Sequence, residues 1–248
     1  MDTNTKKKLL LEFACSKDSL ETLSNKYNMD KVELVKLVRF DIQHKRSMSE
    51  KKLRKQLNYK LVMEFYNSYL SSDRFSEKYG YEHRAFLRII EKIVSDSILV
   101  PSDKLASEIY AKAMDGSRPL IKNFPERIIL MMGNEFVYGK FKLEDLACKY
   151  NINRSTAGKI LKRGIAEDIV SDEVADKIYA RIAATVYTNV DKTLESYEKA
   201  FEQREITKLK KSRDAIKAQL ESDDDSLNYS SLYASLQKIE AKLEKLDA

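Results

Sequence analysis

KLEDLACKYNINRSTAGKILKRG, from Lys142 to Gly164, has a short amphipathic segment, a polar break at Asn151, and a second segment carrying Arg154, Lys159, Lys162 and Arg163. Helical spacing on both sides of so short a break reads as two helices joined by a tight turn. Leu146, Tyr150, Ile152, Ala157 and Ile160 fall where two crossing helices share a small core. Ala147 sits where the helices approach and only a small side chain fits. Asn151 takes a turn position that commonly needs positive φ, which Asn and Gly tolerate.

The same stretch recurs twice upstream. SLETLSNKYNMDKVELVKLV, from Ser19, aligns without a gap: Leu20, Glu21, Leu23, Lys26, Tyr27, Asn28 and Lys36 match Leu143, Glu144, Leu146, Lys149, Tyr150, Asn151 and Lys159. SSDRFSEKYGYEHRAFLRII, from Ser71, holds the KY pair at Lys78 and Tyr79 and a glycine, Gly80, at the turn. Ser24 and Ser76 stand where Ala147 does. An EF pair precedes each KY pair by the same distance, at Glu12–Phe13, Glu64–Phe65 and Glu135–Phe136. SDKLASEIYAKA, from Ser102, and SDEVADKIYARI, from Ser171, extend the unit by a trailing helix in the second and third copies, with a register slip of two residues. Each copy therefore reads as an EF helix, a short KY helix, and a third helix after Asp30, Glu82 (a poor cap) or Asn153.

LEDLACKYNINRSTAGKILKRG resembles the helix-turn-helix of bacterial and phage DNA-binding proteins, of the tri-helical kind. The resemblance implies that the helix from Arg154 is a recognition helix in the DNA major groove. The residues agree with that direction. Ala157 and Ile160 turn inward, leaving Arg154, Ser155, Lys159 and Lys162 outward, while Lys140, Lys142 and Arg163 flank the unit near phosphates. The matching outward sets are Lys31, Lys36 and Arg39 in the first copy, diluted by Asp30 and Glu33, and His83, Arg84 and Arg88 in the second. The repeated Phe and Tyr residues fall at inward positions and read as core.

From about Thr188 the pattern changes. Val190, Leu194, Tyr197 and Phe201, then Ile206, Leu209, Ile216 and Leu220, trace an apolar stripe, which ESDDDSLNYSS (from Glu221) breaks. Leu232, Leu236, Ile239, Leu243 and Leu246 follow in heptad spacing. This reads as a helical hairpin with an acidic turn whose narrow stripe must pack on the chain itself or on another copy; a homo-oligomer is the expectation and an intrachain brace the alternative. RDAIKAQLESDDDSLNYSSLYASLQKIEAKLEKL is similar in pattern to the hairpin after the helix-turn-helix in some phage small terminase subunits.

Composition fits an all-α chain. Of 248 residues only 6 are Gly and 3 Pro, and 34% are charged, mostly helix formers. The formal charge of +6 permits a nucleic-acid partner without requiring one. Cys15 and Cys148 are far apart and lie in no CxxC, which suits reduced thiols in a bacterial cytoplasm. No stretch has the length of a membrane span or a signal peptide. Two histidines, His44 and His83, and no metal-spacing or nucleotide-loop motif argue against an enzyme, a metal site or a cofactor. None of the 14 tyrosines sits in a recognisable Arg/His cluster of the recombinase kind.

The expectation is an all-α chain of three tandem tri-helical helix-turn-helix units, 1–50, 51–120 and 121–186, and a hairpin or coiled coil, 187–248. Its expected function is sequence-specific binding of double-stranded DNA as a phage or mobile-element transcription regulator. The alternatives are a small-terminase-like packaging factor and a helical protein-protein adaptor.

Overall fold

The computed structural model describes residues 2–44, 50–115, 121, 124–139, 141–185, 190–221 and 228–247. Among them are thirteen helices and no strand. In order these are α1 (Thr3–Cys15), α2 (Leu20–Lys26), α3 (Lys31–His44), α4 (Glu50–Asn67), α5 (Ser72–Lys78), α6 (His83–Ser95), α7 (Asp103–Met114), α8 (Glu126–Tyr138), α9 (Leu143–Lys149), α10 (Arg154–Ala166), α11 (Asp172–Thr185), α12 (Val190–Leu220) and α13 (Tyr229–Asp247). The acidic turn expected between the last two helices falls mostly on 222–227, outside the described residues. The chain divides into two compact units, Met1–Ile128 with Ala147–Asn153, and Ile129–Leu146 with Arg154–Ala248.

The short helices α2, α5 and α9 end alike, and the sequence says why. Asn28, Gly80 and Asn151 have φ of 47°, 69° and 53°. Their N–H groups donate to Asn25, Glu77 and Cys148 carbonyls at 3.2, 3.0 and 3.3 Å. The next N–H groups, of Met29, Tyr81 and Ile152, reach back to Ser24, Ser76 and Ala147 at 3.0, 2.8 and 2.9 Å. This is the Schellman closure of a helix C-terminus, which needs a left-handed residue at its centre. Ser24, Ser76 and Ala147 are buried, as close helix approach requires. Asp30 caps α3 through the Val32 N–H at 2.7 Å, whereas Glu82 makes no side-chain cap at α6. Ile152, expected in the core, is only half-buried.

In the first unit, the spacing of the EF and KY pairs has a physical cause. Glu12 of α1 accepts a hydrogen bond from the Tyr27 hydroxyl at 2.7 Å and pairs with Lys26. Phe13, Phe65 and Tyr79 are buried, and Tyr27 is half-buried. Phe65 meets Phe75 and Phe86 edge-on at 5.4 and 5.5 Å, an arrangement that adds about 0.5–1.5 kcal/mol per pair beyond area burial.

A second regularity was not visible in the alignment. Lys60 of α4 lies over the Phe13 ring at 5.5 Å and donates to the Ser16 carbonyl at 3.0 Å. Lys112 of α7 lies over the Phe65 ring at 4.8 Å and donates to the Phe65 and Tyr66 carbonyls at 2.7 and 3.1 Å. In the second unit, Arg181 of α11 lies over the Phe136 ring at 4.5 Å and donates to the Phe141 carbonyl at 3.3 Å. Each EF phenylalanine thus carries a cation from a later helix, and each cation donates to carbonyls in the last turn of the EF helix or just past it. Burial holds Lys60 and Lys112 below the ordinary lysine pKa. The trailing helices α7 and α11 begin alike, with Ser102 and Ser171 hydroxyls accepting the Leu105 and Val174 N–H groups at 3.3 and 3.4 Å. In the first copy the trailing cation comes from α4, which also bears the next EF pair; one helix serves both.

In the second unit, Gly133 and Gly164 permit tight packing. A Cβ there would stand 2.9 Å from Val170 Cγ1 and 2.8 Å from Ile129 Cγ2. The 31-residue α12 packs along α10 through Tyr197, Ala200 and Arg204, all buried. The Arg204 guanidinium donates to the Ile165 and Val170 carbonyls at 3.1 and 2.7 Å and pairs with Asp168 and Asp172. Helix α13 turns back along α12, where Leu243 is buried and Lys217 pairs with Glu240 at 3.2 Å. Leu232, Leu236 and Ile239 are half-buried, and Tyr233 and Leu246 are exposed.

Candidate nucleic-acid interface

The expected contact residues separate by their place on the third helices, α3, α6 and α10. The first residue of each faces an acid at the same place on the preceding short helix. Arg154 Nε lies 2.9 Å from Glu144, and Lys31 lies 3.8 Å from Glu21 and 2.8 Å from Glu64. The charge of His83 helps hold the Asp73 carboxyl below its ordinary pKa, after the hydrogen bond from Ser71 and the Arg74 backbone. His83 Nε2 also lies 2.9 Å from Ser72 Oγ. Ser72 gives its own proton to the Ala113 carbonyl at 3.1 Å, so the imidazole is the donor.

The ninth residue of two of these helices is turned inward. Arg39 donates to the Tyr79 and Gly80 carbonyls at 3.2 and 2.9 Å and lies 4.2 Å from the centre of the Tyr81 ring. It fastens the α5 turn. Lys162 donates to Ser196 Oγ at 3.1 Å and lies 5.6 Å over the Tyr197 ring. Burial, then the charge of Lys159, pulls its pKa down. A residue eight places along a helix lies about 80° round from the first, and here that neighbouring side is covered. Arg163 pairs at 2.8 Å with Glu167, the residue just past the end of α10.

The sixth residues, Lys36, Arg88 and Lys159, are exposed, as are Ser155, Arg84 and Lys142. Lys36 and Lys159 carry no ion pair among the described residues. Lys140 lies outside the described residues. Three equivalent positions therefore present a cation to solvent; all three were among the residues chosen from sequence, which did not separate them from Arg154, Lys162 and Arg39.

Beside α10 is a cleft of about 540 Å³ that the sequence did not announce. Arg154, Ser155, Gly158, Lys159 and Lys162 form one wall, and Ile182, Thr185, Thr193 and Tyr197 lie opposite. Among the described residues no group of His, Cys, Asp and Glu is arranged to hold a metal ion, and no helix is long and apolar enough to cross a membrane. Comparison with family models, curated proteins and solved structures gives no match for this chain.

Proposed function

We propose that the chain binds double-stranded DNA through three tandem helix-turn-helix units, reading sequence as a regulator of transcription in a phage or mobile element. The observation that carries this reading is the exposed cation at the sixth position of α3, α6 and α10: Lys36, Arg88 and Lys159. Each follows the same left-handed turn. A solvated lysine on a helix face is ordinary, but the same position in three diverged copies suits a shared phosphate or base contact. The first residues fit this too, because Glu144 pairs with Arg154, and Glu21 and Glu64 with Lys31, at the helix start, where base edges are met.

The α12–α13 hairpin is the proposed oligomerisation element, and its half-exposed leucines support that role. It also favours a second reading, a DNA-packaging recognition factor similar to small terminases. Selection of bound sequences from a random duplex pool, with binding measured at several salt concentrations, tests the first reading. Enrichment of one motif and a steep salt dependence support it. A ring of eight or more chains, with little sequence preference, moves the packaging factor ahead. Absence of salt-dependent DNA binding leaves a protein-protein adaptor.

A further inference from the structure

The cleft beside α10 contains a glycine that packing does not explain. Gly158 lies in the interior of α10, where glycine is less favourable than alanine. Gly133 and Gly164 have no room for a Cβ, but at Gly158 nothing stands within 4 Å of where one would be. The open space is the cleft itself. Glycine at such a place lets a ligand come close to the backbone.

The walls around it state what that ligand is. Arg154, Lys159 and Lys162 bring three cations to one side, with Glu144 the acid paired to Arg154. Ser155, Thr185 and Thr193 add hydroxyls, while Leu143, Ile182 and Tyr197 supply apolar surface. A volume of 540 Å³ exceeds what a lone inorganic ion fills and lies within the roughly 300–1,000 Å³ usual for small-molecule sites. Tyr197 is buried and its hydroxyl donates to the Gly158 carbonyl at 3.4 Å, which fixes that wall of the cleft.

We propose that this cleft binds a small phosphorylated organic ligand, its phosphate on Arg154, Lys159 and Lys162 and its body over Gly158 toward Ile182. The ligand and DNA share Arg154 and Lys159, so occupancy of the cleft opposes DNA binding by α10. That regulatory half rests on the DNA reading; the binding half does not.

The test is calorimetric titration of the full chain with pyrophosphate and, separately, with a nucleoside triphosphate. The expected result is saturable binding at one site per chain, tighter for the nucleotide. Gly158→Leu fills the cleft without removing a charge and should weaken nucleotide binding at least ~10-fold while the chain stays folded by circular dichroism. Lys159→Gln should weaken both ligands. Equal affinity of Gly158→Leu and the parent, or no saturable binding by the parent, overturns the proposal. If Gly158→Leu unfolds, Thr185→Leu narrows the opposite wall and must give the same loss. DNA affinity is measured with and without the nucleotide at matched ionic strength. DNA binding that ignores the cleft ligand overturns the competition. Failure of nucleotide binding with DNA binding intact removes this inference alone, and nucleotide binding with no DNA binding removes the DNA reading and the regulatory half that rests on it, leaving the binding half standing.

Discussion

The guanidinium of Arg154 lies 2.9 Å from the Glu144 carboxylate, with 64% and 57% of the two side chains exposed. A pair this exposed contributes little to stability, about 0.2–1 kcal/mol. Its effect is on direction: Glu144 holds Arg154 at the start of α10. Arg154→Ala should therefore cost DNA affinity, by roughly 1–3 kcal/mol if a guanine is lost, and relax preference at one base pair. Glu144→Gln removes a negative charge from the same place and should tighten binding to all sequences. Binding isotherms for both variants on selected and scrambled duplexes check this. Parent-like affinity in Arg154→Ala would remove α10 as a reader.

Lys36, Arg88 and Lys159 stand at one position of three helices, so they should behave alike. Each change to Ala should flatten the salt slope of DNA binding by about one unit if each meets a phosphate. Lys162→Met is the contrast. Its ammonium is already held by Ser196 and lies over the Tyr197 ring, so the slope should move less. A larger effect from Lys162 than from Lys159 would reverse the assignment of outward and inward cations on α10.

The helical class and the recurring turn were legible because local chemistry enforces them. Asn28, Gly80 and Asn151 announce a left-handed residue whatever surrounds it. The EF and KY pairs were legible as spacing, and in the first copy the Glu12–Tyr27 hydrogen bond supplies the reason. What stayed hidden depends on partners distant in sequence. Lys60, Lys112 and Arg181 read as surface cations until α4, α7 and α11 bring them over Phe13, Phe65 and Phe136. Lys162 read as outward because nothing in its own helix reveals that α12 packs there. Arg204 went unnoticed within an apolar stripe, although Tyr197 and Arg204 are a heptad apart on the side α12 buries.

Arg204 should be the residue most sensitive to truncation in the second unit. Only 3% of its side chain is exposed, and its donors serve two carbonyls and two carboxylates. Arg204→Ala takes the buried donor from the Val170 carbonyl and leaves Ile165 only the Asp168 N–H, and should cost roughly 1–3 kcal/mol, the usual loss on leaving a buried polar group unsatisfied. Urea denaturation measures it. The acid limb carries a linked signature. Hydrogen bonds from Lys208 and then Arg204 hold the Asp172 carboxyl below its ordinary pKa. A depressed carboxyl pKa stabilises the fold above the unfolded value, about 3.9, and that contribution is lost as pH falls through the native pKa. Asp172→Asn should therefore lower stability near neutral pH and make it less dependent on pH below about 4. An unchanged acid profile in Asp172→Asn would separate Asp172 from the Arg204 network.

The last prediction concerns what α13 is for. Ending the chain at Glu221 removes it but keeps Tyr197, Ala200 and Arg204, on which the packing of α12 against α10 depends. It exposes Ile206, Leu209, Ile216 and Leu220, which are now half-covered. If α13 joins chains, light scattering should show a lower mass for the shortened chain than for the full one. If α13 is only an intrachain brace, mass should stay the same or rise through aggregation. A full-length control separates lost brace from lost interface. Tyr233 and Leu246 are 56% and 53% exposed, so changing both to Ser leaves the α12–α13 contact in place. An oligomer seated on this face should then lose mass with helicity unchanged, because exposed apolar side chains are the surface a partner chain can bury. A mass equal to the parent's in both variants would assign α13 to the brace and move the oligomer contact elsewhere.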